Sequence, residues 1–274
     1  MLGKLIKHEF KATVRLIPAF YAFLALMCGV LFLADKFNLG PIKTTAVTFL
    51  VIAIVAVWVV TCVVIVMRFH KNLFGNEGYL TGTLPVKSSQ IMFSKGFAAA
   101  VWLLVSSAVA LTALYFLINT TIGSPIEIIK GMGEGAPGLF LIALVMMGIQ
   151  GFLMIAEIYF AITLANTRPF IKNNIGFSFL IYFAVTTVMS GVDMAALFLI
   201  PIKAVFTPKL GLEFGWYFND FMALVQKEQE AGNQLVSTAM PTSLGIGSIV
   251  SQIIVTVVLF ALSAWLLKKK TSVK

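Results

Sequence analysis

Thr44 to Met67 reads TTAVTFLVIAIVAVWVVTCVVIVM, 24 residues without one charged side chain. About 20 apolar residues at 1.5 Å each cross the roughly 30 Å of a bilayer's hydrocarbon core. In lipid such a run must satisfy its own backbone amides, and without barrel-type alternation it does so as a helix. Five further runs of this kind lie at approximately 16–34, 97–118, 138–165, 174–199 and 245–267. The run at 138–165 exceeds what a perpendicular span needs, which implies tilt or a protruding end. The composition agrees: the 274 residues are 59% hydrophobic and 11% charged, with a mean hydropathy of +0.98. Soluble domains carry roughly a quarter charged residues. The chain therefore reads as an all-α integral membrane protein, a single transmembrane domain of six helices over residues 1–274.

Lys and Arg orient the runs, because they concentrate on the cytosolic side. With the N-terminus in the cytosol, the cytosolic segments hold 14 of the 20 basic residues, among them Lys4, Lys7, Lys11, Arg68, Lys71, Lys87, Lys95 and Lys268. The outer segments hold six: Lys36, Lys43, Lys130, Lys203, Lys209 and Lys227. The expected topology is N-in, C-in. The net charge of +9 follows from this asymmetry and is not read as a nucleic-acid footprint.

Residues 1–15 precede the first run. At 100° per residue Leu2, Ile6, Phe10 and Thr13 gather on one side, and Lys4, Lys7, His8, Lys11 and Arg15 on the other. That suits a helix lying in the inner-leaflet interface, with the chain entering the membrane near Pro18. The run from Leu16 to Ala34 is too long for a signal-peptide core and no small-x-small cleavage site follows it, so it reads as a retained span. Between the last two spans, Pro201, Pro208, Gly211 and Gly215 break the chain before Trp216–Ala231, which reads as an outer helix. Cys28 and Cys62 fall within apolar runs and read as small packing residues.

Motifs for independent catalysis are absent from the sequence. It contains no Gly-x4-Gly-Lys-Ser/Thr, no HExxH, no CxxC and no nucleophile elbow. The two histidines, His8 and His70, are far apart in basic segments, and the chain is expected to hold neither metal nor cofactor of its own. A few polar side chains do enter the spans. Glu157 lies within the fourth, seven residues after Gln150 on the same helical face. Asp193 stands near the outer end of the fifth and Gln252 in the sixth. Such groups are costly against lipid, so these four are candidates for a translocation cavity or a helix interface, with packing as the plainer reading.

One polar, glycine-bearing stretch separates the second and third runs: Gly75 to Lys87, GNEGYLTGTLPVK. Glu77 can begin a short helix, Tyr79, Leu80 and Leu84 offer apolar anchors, and Pro85 ends it and turns the chain toward the next span. The string Gly75-Asn76-Glu77-Gly78-Tyr79-Leu80 with Thr83-Leu84-Pro85-Val86, set in this six-span layout, resembles the permease subunits of bacterial ABC exporters of the type-two family. The resemblance implies a cytosolic coupling helix between spans two and three. In it Glu77, Gly78, Tyr79, Leu80, Thr83, Leu84 and Pro85 would contact an ATPase subunit. It further implies two such ATPase subunits carrying ATP and Mg, a second permease copy or related permease, and a bacterial plasma membrane around them. The expected cargo is amphipathic or hydrophobic: a peptide, a drug or a lipid. Two alternatives remain open on the residues alone. One is a six-span secondary transporter without ATPase, and the other a membrane sensor or immunity protein that binds its ligand at the outer loop 200–244.

Overall fold

The structure, a computed structural model, describes residues 2–14, 16–75, 78, 86–131, 136–167, 174–205, 211–230 and 243–269. In chain order the elements are α1 (Leu2–Thr13), α2 (Ile17–Lys36), α3 (Gly40–Phe74), α4 (Ser88–Thr121), α5 (Pro125–Gly131), α6 (Ala136–Ala165) and α7 (Asn174–Leu199). Then come β1 (Ile202–Val205), β2 (Gly211–Phe214), α8 (Tyr217–Glu230), β3 (Ser243–Gly245) and α9 (Gly247–Lys269). Among the described residues six helices are long and apolar enough to cross a membrane: α2, α3, α4, α6, α7 and α9.

Two of these depart from the hydropathy runs. The basic residues at 68–71 and 87–95 suggest a connecting loop over 68–96, but α3 continues to Phe74 and α4 begins at Ser88. A charge ends an apolar run without ending a helix, since Arg and Lys are good helix formers. The 35-residue α3 is about 52 Å long, so it overshoots a roughly 30 Å hydrocarbon core. The all-α expectation holds for the six spans, and outside them the chain adds a small element. The segment between α7 and α9 holds a three-stranded antiparallel sheet of order β2-β1-β3, in which Lys203 lies opposite both Glu213 and Gly245. β-branched Ile202 and Val205 suit these strands, which are too short to give a clear sequence period. Lys203 reaches Asp220 of α8 at 2.8 Å, and Phe198 at the end of α7 meets Tyr217, Phe218 and Phe221 of α8. Sheet and α8 thus form one cap on the end of the bundle away from α1.

Each span except α7 buries a narrow stripe. On α3 the buried residues are Ala46, Leu50, Ala53, Val57, Thr61, Ile65, Phe69 and Leu73, steps of three and four that keep one face inward over the whole helix. That face meets α2 at Leu24 and Leu31 and α4 at Ala113. α4 answers with small residues, among them Ala98, Ala99, Ser106 and Ala110, which let helices approach closely as membrane interfaces require. Between them Ser106 Oγ sits 2.6 Å from Tyr21 Oη and 2.8 Å from Thr61 Oγ1, a hydroxyl trio joining three helices. α6 packs on α9 and α7. The main core lies toward the end that carries α1, where Phe69 stacks on Tyr159 at 3.8 Å and Tyr159 meets Phe260 edge-on at 6.1 Å. From Gly176 to Leu199 α7 has no fully buried residue, so it is the outermost span.

Candidate functional site

α1 lies against the bundle, with Lys4, Lys7, His8 and Lys11 exposed and Thr13 buried. Its most consequential residue is one the charge pattern passes over. Glu9 is buried, and its carboxylate accepts from two cations on two different helices. Arg68 Nε of α3 donates to Oε2 at 2.7 Å, and Lys95 Nζ of α4 donates to Oε1 at 2.7 Å. Lys95 is itself buried, with 4% of its side chain exposed. One turn along α1, Thr13 Oγ1 accepts from Trp102 Nε1 of α4 at 2.7 Å, and Phe10 packs on the same indole. Burial pushes the Glu9 carboxyl up, but the Lys95 ammonium and the Arg68 guanidinium outweigh it and hold the group below the usual carboxylate range. The adjoining cavity of about 20 Å³ has room for about one water. Glu9 therefore ties helices together and does not line a ligand pocket.

These contacts place the tie where α3 and α4 leave the bundle toward residues 75–87. Arg68 is six residues before the end of α3 and Lys95 seven after the start of α4. Of the loop residues singled out in the sequence, Gly78 is buried in a helical position and its N–H donates to the Gly75 carbonyl at 2.8 Å. Glu77, Tyr79, Leu80, Thr83, Leu84 and Pro85 lie outside the described residues. Gly75 itself ends α3 tightly, since a Cβ there would come within 2.7 Å of the Lys71 carbonyl oxygen.

The four polar span residues separate into three situations. Asp193 and Gln252, 59 positions apart, come together across α7 and α9: Gln252 Nε2 donates to Oδ2 at 3.1 Å and Ser251 Oγ to Oδ1 at 2.5 Å. Glu157 is buried on α6 and accepts from Thr186 Oγ1 of α7 at 3.1 Å. Thr186 and Asp193 are seven residues apart, so both contacts lie along one stripe of α7, about 10 Å apart. Gln150 does not join them. It is exposed, although it shares a helical face with Glu157, because full burial on α6 begins at Gly151 and the described residues before it are at most partly buried. Depth along the helix, which a helical wheel does not show, separates the two.

Glu9, Arg68 and Lys95 had one sequence signal in common with the core. Glu9 follows Leu2 by seven residues and precedes Thr13 by four, so it falls on the apolar face of α1. An acid on that face, among basic neighbours, calls for a cationic partner. Among the described residues no group of three His, Cys, Asp or Glu could hold a metal ion.

Fold and site together define a multi-pass helical membrane protein whose N-terminal helix α1 is ion-paired to two of its spans. Comparison with protein-family models, with curated proteins and with solved structures gives no match.

Proposed function

We propose that the chain is the permease subunit of an ABC exporter, driven from the cytosol by two separate ATPase subunits and paired with a second permease in a bacterial plasma membrane. The observation that carries this reading is the double ion pair at Glu9. A partner pressing on residues 75–87 would push on the ends of α3 and α4, and Glu9 joins both ends to α1. The three helices would then tilt as a unit, which is what a lever needs. α3 is helical without interruption from Gly40 to Phe74, so movement at one end reaches the other. The cargo reading gains support from a groove of about 530 Å³ between α4, α6 and α9, walled by Phe93, Phe97, Phe152 and Phe260. Its lining is almost wholly apolar, as a hydrophobic or amphipathic cargo requires.

The test is affinity purification after gentle solubilisation. An ATP-hydrolysing subunit should co-purify with the wild-type chain, and Tyr79→Ala combined with Leu84→Asp should release it while the membrane protein still accumulates and stays monodisperse. Absence of any ATPase from the wild-type preparation would defeat the proposal.

One observation favours a second reading, an ion-coupled transporter. Glu157 and Asp193 bring two carboxylates to the same stripe of α7, and coupling-ion sites use such pairs. In that case uptake or efflux by reconstituted protein would follow a proton or sodium gradient without ATP, and Glu157→Gln would abolish it.

A further inference from the structure

Exposed apolar residues on a span face lipid, but outside the spans a cluster of exposed aromatic side chains marks a surface that something covers. The cap formed by the sheet and α8 carries such a cluster. Phe214 is 91% exposed and Trp216 half exposed, on either side of Gly215 where β2 passes into α8. Along α8, Phe218, Phe221 and Met222 are exposed and Val225 half-buried, positions i, i+3, i+4 and i+7 that form one stripe. Asn219 and Gln226 are exposed away from it, so α8 is amphipathic with its apolar side uncovered.

Two contacts fix where the stripe points. Phe198, at the end of α7, meets Phe218 at 5.7 Å and Phe221 at 5.8 Å, so the stripe starts where the span stops. Asp220, on the far side of α8, is held by Lys203 of β1 at 2.8 Å. α7 is also the outermost span, and its last residue, Leu199, is exposed. The lipid-facing surface of α7 therefore continues into the apolar side of α8. Aromatic residues dominate that side, as they do where hydrocarbon meets headgroups. The four residues of the stripe are uncharged, so the stripe itself offers no charge to a headgroup.

We propose that α8 lies in the headgroup–acyl boundary of the leaflet at this end of the bundle. Phe218, Phe221 and Met222 are immersed, and Asn219 and Gln226 face water. The partner is the lipid surface itself, held by apolar burial and not by headgroup charge. Through Phe198 and the Lys203–Asp220 pair, α8 sets the depth of the whole cap. α7 then cannot slide along the bilayer normal without drawing two phenyl rings out of the leaflet. This anchoring is independent of any ATPase partner.

The full-length chain, with Cys28→Ala and Cys62→Ala to remove its own thiols, receives one labelling site, Met222→Cys or Gln226→Cys, and an environment-sensitive fluorophore. It is reconstituted at one copy per nanodisc in phosphatidylcholine. The label at position 222 should emit to the blue of that at 226 and resist aqueous iodide. Lipids spin-labelled at the top of the acyl chain should quench it more strongly than the label at 226. Phe218→Ser with Phe221→Ser should return position 222 to the behaviour of 226, since each buried phenyl group is worth about a factor of ten or more in partitioning. Phosphatidylglycerol in place of phosphatidylcholine should change none of this. Equal iodide quenching at the two positions would overturn the proposal. So would shielding of position 222 without quenching by the lipid labels, which would show that the chain itself covers the stripe. Shielding found only in discs with two copies would show a dimer contact, and shielding found only with phosphatidylglycerol a charge-driven one. Either result also overturns it.

Discussion

Glu9→Gln is the substitution that reports most directly on how α1 is held. The amide keeps the size of the side chain and removes the charge that two cations share. Lys95, 4% exposed, then faces Arg68, 20% exposed, with no carboxylate between them. Breaking a fully buried pair by removing one partner costs about 3–5 kcal/mol. Arg68 reaches water and recovers part of that, so we expect a loss of about 2–4 kcal/mol. The pH dependence has a definite sign. The Glu9 carboxyl is held below its ordinary value of 4.5. Its stabilisation is therefore complete above that value and is lost as pH falls through the lower, folded-state pKa. Wild type and Glu9→Gln should differ fully near neutral pH and converge in acid. The assay is equilibrium unfolding in mild detergent, followed by tryptophan fluorescence, across a cycle of Glu9→Gln, Lys95→Met and the double variant. A coupling energy above about 1 kcal/mol is expected, the double variant recovering part of what either single one loses. Additive effects, or a Glu9→Gln loss under about 0.5 kcal/mol at neutral pH, would refute the tie.

Three further outcomes are expected from the packing. Ser106→Ala removes the hydroxyl between Tyr21 and Thr61 and should cost about 1 kcal/mol in the same unfolding assay, in line with interhelical hydrogen bonds in membranes. Gly247→Ala places a Cβ 2.1 Å from the Ala196 carbonyl oxygen, a backbone atom that cannot step aside. It should lower stability by about 1–3 kcal/mol or more and loosen α7 from α9, seen as faster proteolysis of the segment between them. Asp193→Ala leaves Ser251 and Gln252 without their shared acceptor and should cost about 1–2 kcal/mol, whereas Asp193→Asn keeps one acceptor oxygen and should cost less.

What the sequence disclosed depended on how far each physical constraint reaches. Lipid demands about 20 apolar residues per crossing, so the spans are visible as runs, and α7 begins and ends where its run does. Nothing in lipid solubility fixes where a helix stops in water, so the continuation of α3 through Arg68, His70 and Lys71 has no hydropathy signature. Pairings between distant helices are equally hidden. Asp193 and Gln252 could each be marked as polar in an apolar run, but not as partners. Glu9 sits one residue from His8 and two from Lys7, and in a charge tally it vanishes among them. Arg68 and Lys95 served as markers of sidedness, yet the same two side chains hold α1 in place. The small strands β1, β2 and β3 have only four, four and three residues, too few for a period to show.

The central claim is that residues 75–87 grip an ATPase, and a photo-crosslinking amino acid at position 84 tests it in intact membranes. Irradiation is expected to join the chain to an ATP-binding polypeptide, with a yield that changes when ATP is trapped by vanadate. Crosslinks to lipid or to the chain itself alone, unchanged by nucleotide, would contradict it.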